Sequence, residues 1–563
     1  MKATTGDGTA GEANQLRRSR LAPMCVLLMV LVILALLTRM VPISISPLPF
    51  NNDGLAESRI ANDIVSSGHL DYPSGASYVE THSVLMPIYN VLLAFVSSSI
   101  GTSAFDVAQV TAGAVAVLTV TCMYLLALQI TRGIRSAFAS ALVLGLLGTF
   151  VFLTESTWKA SLGMALLVLL IFAYVNRVDR RFLALEILIL AVLPFVHHLA
   201  TIMAFMAIMY LTIWSLFVGF VRNRLVVRHL IDFLIILSMS LAAYVYYVNG
   251  GLDRLSLVRS SLGLTYAVIA LVAVCAAMIV VFSMKSHAKA TFAPVVALLI
   301  FGILTYDYFH SFFSYVSSSP WFVLLLAGAV SALAGIAWYG LEKSVEQPSK
   351  YRAIPLCLLL PFLTTTGFAI LSGMHFNNQQ IVFRSFDFAD VSLALGIGFA
   401  VASFKTARAR ASVVYAIVAA LVVTLPFAYA TQELTGVRHD TQRYEADAFG
   451  WLSTSAGANA TVQSDERLSY IGDALYDIAK TPWLPQRLTD QNQLGVGGYF
   501  VFEDEWMTKG VNDFPNGNKV ISSAWMSVLL ESSNVLYLGG PSHDRIVVFE
   551  ASETGWEVIQ PLG

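Results

Sequence analysis

The apolar positions of this chain fall in long continuous runs, not in the strict alternation of a half-buried strand. A helix needs about 20 mostly apolar residues to cross a bilayer. Stretches of this kind lie near 21–45, 107–130, 136–153, 160–175, 182–197, 199–220, 229–248, 262–284, 291–309, 320–341, 353–371, 387–404 and 411–430, thirteen in all. The two around Pro194, His197 and His198 can also be read as one long helix broken at the proline. The first stretch follows Arg17, Arg18 and Arg20, is too long for a signal peptide and reads as an uncleaved span. One further apolar stretch, Val84 to Ile100, carries Pro87, Tyr89 and three serines and reads as a helix lying in the membrane interface.

Charge orients these runs. With the N-terminus inside, the inner segments hold 20 Lys and Arg residues and the outer membrane loops hold six: Arg39, Arg59, Lys159, Arg254, Arg259 and Arg384. This is the bias expected of cytoplasmic loops. Counting Val84 to Ile100 as a span would invert it from Arg132 and Arg135 onward. The odd count puts the C-terminus outside. The fold class expected is therefore a polytopic α-helical membrane protein of about 13 transmembrane helices, N-terminus in and C-terminus out, with a C-terminal α/β extracytoplasmic domain.

The division falls near residue 431. Residues 1–431 form the membrane domain, with a long acidic outer loop at 46–101. Residues 432–563 hold 18 acidic and 8 basic residues and read as a soluble domain with a core of its own. Within it, Glu445–Leu452 and Leu468–Ile478 are expected to be helical and Thr461–Ser464 extended. Asn534–Leu538 and Ile546–Phe549 flank a turn and predict a hairpin. Asn459-Ala460-Thr461 is a glycosylation sequon on the outer side.

Composition narrows the class. Charged residues make up 12% of the chain, about half the 25% usual in soluble proteins, which excludes a soluble enzyme or a disordered protein. The net charge of −2 gives no basic field for nucleic acid. Cys25, Cys122, Cys275 and Cys357 all sit in apolar runs, so neither a disulfide framework nor a zinc site is expected. No charge is expected deep in a span, which leaves an ion or proton relay little to work with.

Candidate chemistry gathers in the first outer loop. Asp53 and Glu57 follow the first span at i,i+4 spacing, so a helix there puts both carboxylates on one face. They form either a solvated acidic face or a pair that divides the work of base and acid. Arg384 precedes a span and is either an interfacial anchor or a phosphate ligand. Lys159 is expected to pair with Glu155 across a short turn. His82 shares the acidic loop, and the predicted turn at His197 and His198 lies level with it, so the three are possible active-site residues.

The order of residues after the first span resembles a family. Asn52-Asp53-Gly54-Leu55-Ala56-Glu57, then Ile60 to His69 with Gly68, then Thr81-His82, then Met86-Pro87-Ile88-Tyr89-Asn90 and a closing Gly101 are similar to the first loop of the GT-C glycosyltransferases. The likeness is to the protein O-mannosyltransferase and aminoarabinose-transferase branch, and the span count is similar to that of oligosaccharyltransferase catalytic subunits. The resemblance implies a polyprenyl-phosphate-linked sugar donor, a protein, lipid or glycan acceptor on the outer face, and a base at Asp53 with Glu57 as its helper. It implies Arg384 as a donor-phosphate contact, in a multi-pass protein of the cell membrane. No cofactor is predicted; a divalent metal fits the superfamily, but no metal ligands stand out. The sequence leaves two alternatives open: a transporter or flippase of a lipid-linked substrate, and a non-catalytic envelope-assembly protein.

Overall fold

The computed structural model describes residues 8–70, 81–221, 227–250, 292–310, 323–346, 353–373, 376–429, 438–456, 461–481, 499–508, 510–512, 518–521, 534–542 and 545–550, with isolated positions between them. The N-terminal half contains α1 (Gly8–Ile45), α2 (Asn52–Ser67), α3 (Thr81–Leu85), α4 (Ile88–Ile100), α5 (Ala104–Thr131), α6 (Ile134–Leu146) and α7 (Gly148–Glu155). It continues with α8 (Lys159–Asn176), α9 (Arg180–Val192), α10 (His198–Val221) and α11 (Val227–Asn249). Then follow α12 (Ala293–His310), α13 (Val323–Glu346), α14 (Ile354–Leu371), α15 (Phe376–Ser403) and α16 (Ala407–Thr424).

Twelve of the thirteen expected spans fall on these helices; 262–284 lies outside the described residues, as do Arg254, Arg259 and Asn459. Among the described residues, nine helices are long and apolar enough to cross a membrane, and α6 with α7 makes a tenth if taken as one span. That pair is bent by 61°. Leu147, between them, has an extended backbone that ends one helix and starts the next. Pro194 separates α9 from α10 through a short 3-10 turn, Leu193–Phe195, so the region is two helices. The stretch after Val84 folds as α3 and α4. The 13 residues of α4 extend about 20 Å, too short to span. Tyr89, Asn90 and Leu93 are buried while Val91 and Phe95 are exposed, as an interfacial helix requires.

Two expectations about polar residues are corrected here. α15 begins at Phe376, so Arg384, expected just before a span starting near 387, already lies inside the helix. Charges do occur inside spans. Asp387 and Asp390 lie in the apolar part of α15, Ile381–Ser403, and Arg39 lies within α1. The Asp390 carboxylate accepts a hydrogen bond of 2.8 Å from Thr149 at the start of α7. Arg39 is fully buried and donates to Thr38, Thr154 and the carbonyl of Gly145. That carbonyl belongs to the last turn of α6, where the break with α7 interrupts the helical bonding pattern.

The C-terminal region contains α17 (Arg443–Ser455), β1 (Thr461–Gln463), α18 (Glu466–Tyr476), β2 (Ala479–Thr481), β3 (Tyr499–Glu503), β4 (Val511–Asn512), β5 (Asn518–Lys519), β6 (Asn534–Gly539) and β7 (Ile546–Glu550). Five strands form one sheet in the order β2-β1-β3-β7-β6, parallel at β2-β1-β3 and antiparallel after it. The expected hairpin is β6–β7. Its core packs Phe500 on Phe549 at 5.2 Å and Phe502 on Trp506 at 4.2 Å between ring centroids. Leu55 of α2 is buried in this same core, so the acidic helix joins the sheet to the helical body.

Cysteine labelling tests the orientation. In a background without native cysteines, a cysteine at Val520, 61% exposed, should react with an impermeant maleimide on intact cells. One at Val178, 80% exposed between α8 and α9, should react only after permeabilisation. The reverse pattern would invert the topology.

Candidate functional site

The site is built on α2. Asn51 caps it: the Oδ1 atom accepts from the amide of Asp53 at 3.0 Å, and Gly68 closes the other end at φ 73°. Asn51 itself sits at φ 90°, a conformation a non-glycine residue rarely holds. Its own amide donates to the His439 carbonyl at 2.9 Å, which offsets part of that cost. The start of α2 lies against the turn between α7 and α8. A Cβ at Gly54 would fall 1.7 Å from Thr157 Oγ1, so only glycine allows this approach. Thr157 also bonds the Phe50 carbonyl through its amide and its hydroxyl.

Asp53 and Glu57 occupy different environments. Asp53 is exposed in the first turn of α2, where the helix dipole favours a negative charge. Glu57 is buried and pairs with Lys159 Nζ at 2.9 Å. Its second oxygen accepts from the Asn90 side-chain amide, which also donates to the Glu57 carbonyl at 3.2 Å. Lys159 donates in addition to Ser83 Oγ at 3.0 Å. Burial, reinforced by the charge of Glu57, pushes the Tyr89 phenol far above its ordinary range.

This arrangement corrects the expected Lys159–Glu155 pair. Glu155 turns inward and faces Arg39, with Tyr429 also nearby. Of the two carboxylates on α2, Asp53 is exposed and Glu57 is held by a buried ammonium.

The remaining candidates are distributed around this helix. His197 and His198 are half-buried at the start of α10, with ring centroids 4.8 Å apart. His197 Nδ1 accepts from the Ala200 amide at 3.2 Å, a helix-start contact. The His198 amide lies 3.1 Å from Met86 Sδ, just beyond the segment that carries Ser83. A Cβ at Gly163, one turn along α8 from Lys159, would lie 3.4 Å from the Cβ of His197. The two histidines therefore stand beside the Lys159 cluster. The backbone of His82 lies in α3, and its side chain is outside the described residues. Arg384 is half-buried on α15, with the carboxylate of Asp387 one turn further on. No group of three or more His, Cys, Asp or Glu side chains among the described residues is arranged to hold a metal.

Sequence reading missed Lys159, Asn90 and Ser83 as members of this cluster. The available signal was Asn90, an amide inside an otherwise apolar helix, because such a group needs a buried partner.

The sheet domain is tied to α2 by Arg59, whose guanidinium reaches both oxygens of Asp477 at 2.8 and 2.9 Å. At the other end of α18 from Asp477, in its first turn, Arg467 meets Glu445 at 2.9 Å and Glu503 at 2.6 Å in a buried network. Burial drives the Glu445 carboxyl up. Burial acts most strongly on Glu503 and in the same sense, but Arg467, the hydrogen bond with Glu445 and Arg438 together outweigh it and hold that carboxyl low. His439, packed 5.1 Å from Phe152 and 6.4 Å from Phe50, is pushed down to about 4, chiefly by burial.

No family model and no curated protein matches the chain. Among solved structures, the arabinofuranosyltransferase AftD from mycobacteria is similar at 14% identity and a TM-score of 0.49, over 93% of this chain. The chain spans 40% of the length of that protein. ArnT from Cupriavidus metallidurans, solved bound to undecaprenyl phosphate and in the apo state, is similar at 12% and 13% identity, each with a TM-score of 0.38. Those matches cover 93% of this chain and 97% and 98% of ArnT.

The buried histidine gives a signed prediction. A free histidine binds its proton near pH 6.5, whereas folded His439 binds it only near 4. The unfolded chain therefore binds more protons between these values, and stability is full above pH 6.5 and falls toward pH 4. The loss amounts to about 3 kcal/mol at most. His439→Phe should remove this component. Thermal melts followed by tryptophan fluorescence at pH 7.5 and 5 should show a smaller acid-induced loss in the variant; equal losses would exclude His439 as the source.

Proposed function

We propose that this chain is a membrane glycosyltransferase of the GT-C type, moving a sugar from a polyprenyl-phosphate donor to an acceptor at the end of the helical bundle where the sheet domain docks. The observation that carries this reading is the separation of roles along α2: Asp53 is exposed at the start of the helix, while Glu57 one turn on is locked to Lys159. The acceptor hydroxyl attacks the anomeric carbon and gives its proton to the Asp53 carboxylate. The new C–O bond forms as the bond from the anomeric carbon to the phosphate oxygen breaks, and the phosphate leaves with the electron pair. Arg384 is the proposed phosphate contact, its guanidinium fork suited to two oxygens. The extracytoplasmic side and the identity of the acceptor belong to the same proposal.

A second reading, transport of a lipid-linked substrate, is favoured by one set of observations. α6 and α7 form a broken helix, and Asp390 meets the start of α7 inside a span. Broken helices with polar groups at depth are features of transporters.

The test uses the full chain in nanodiscs or proteoliposomes with undecaprenyl-phosphate-linked mannose, aminoarabinose and arabinofuranose as donors. Asp53→Asn should lower transfer by about 10²–10⁴ while binding of undecaprenyl phosphate persists. Arg384→Ala should weaken that binding, and Arg384→Lys should weaken it less. Full transfer by Asp53→Asn would remove the base. Donor crossing the vesicle wall without any transfer would establish the transport reading instead.

A further inference from the structure

The turn between α7 and α8 touches α2 at two points. Thr157 receives the first turn of the helix at Gly54, where no side chain would fit. Lys159 grips the second turn at Glu57. The Lys159 side chain is 4% exposed, and its two partners come from two separate helices of the acidic loop, Glu57 from α2 and Ser83 from α3. Asn90 on α4 holds the other oxygen of the same carboxylate. Arg59 of α2 pairs with Asp63 on its own helix and with Asp477 in the sheet domain. Lys159 thus supplies an ionic link from α2 to a membrane-spanning helix, and it acts one turn from the exposed Asp53.

We propose that Lys159 is the positioning residue for Asp53, an inference that rests on the reading of Asp53 as the base. Lys159 does not itself meet substrate. It holds Glu57, Glu57 fixes how far α2 is rotated and how deep it sits, and the first turn of α2 then presents Asp53 at a set height above the bundle. A carboxylate base works only within hydrogen-bond reach of the proton it takes, so a helix free to rock loses rate before it loses donor affinity.

The experiment combines hydrogen exchange of α2 with transfer kinetics, using the full chain in nanodiscs. Lys159→Met strands Glu57 and should raise exchange at the Leu55–Ile60 amides about tenfold or more, with α5 and α8 unchanged. Transfer from the donor that the wild type uses should lose about 10²-fold in kcat, with KM near the wild-type value. Lys159→Arg, which keeps the cation, should recover most of both losses. Lys159→Met/Glu57→Gln removes the stranded charge and carries the test if the single variant does not fold. It should remain folded, with exchange still raised and kcat still low. Wild-type exchange and kcat in that double variant would overturn the proposal, as would a Lys159→Met loss confined to KM. If the wild type transfers none of these sugars, the base reading falls. The exchange measurements then decide by themselves whether Lys159 holds α2.

Discussion

A buried ammonium lies 2.9 Å from a buried carboxylate where α8 meets α2, and the placement of the acidic helix depends on that contact. Removing either partner of such a pair costs about 3–5 kcal/mol, because the remaining charge is left without water or counter-ion. The pair is therefore a strong constraint on geometry even though its net contribution to stability is small. It selects one orientation of α2 from the several that apolar packing by itself would tolerate. With that orientation set, Leu55 enters the core of the sheet domain and Arg59 reaches Asp477. The sheet domain is held to the helical body further by Ser46, which donates to the Thr441 carbonyl, and by the Asn51 amide, which donates to that of His439.

The same rule is applied elsewhere in the molecule. Arg39 sits inside α1 with its donors on Thr38, Thr154 and the Gly145 carbonyl, and it faces Glu155. A helix can break in a bilayer only if the freed backbone groups find partners, and the Arg39 guanidinium supplies one of them at the α6–α7 bend. At the opposite end of the bundle, Arg177 gathers Glu186 and Asp232 at 3.9 and 3.0 Å. In the sheet domain, Arg467 serves two carboxylates. With so few charges in the chain, each buried one marks a junction between elements.

These junctions separate structure from chemistry. Glu57 is committed to Lys159, and Glu155 is buried facing Arg39. Asp53, in the first turn of α2, is exposed to solvent. Its surroundings combine a close approach that only glycine permits at Gly54, an uncommon backbone conformation at Asn51, and two histidines on the far side of Met86. Backbone cost concentrated at one helix end is a mark of sites where geometry is selected over stability. The base role assigned to Asp53 draws on this contrast between neighbours on one helix.

The sequence by itself determined the helical body, the positions of most spans and the strand–helix pattern of the C-terminal region. Each of these follows from hydrophobic period and run length, which act locally and leave their mark within a window of about 20 residues. It also singled out Asp53 and Glu57, at the i,i+4 spacing that a helix there puts on one face. Only the tertiary structure decided what those residues do. Glu57 meets a lysine 102 positions away and an asparagine 33 positions away, and nothing local favours Lys159 choosing Glu57 over its own neighbour Glu155. Arg39 and Asp390 likewise become legible only once α7 is broken and turned toward them. An ion pair in an apolar medium is chosen by which groups the fold brings together without water, and that choice is made by the packing of whole helices rather than by residues near one another in the chain.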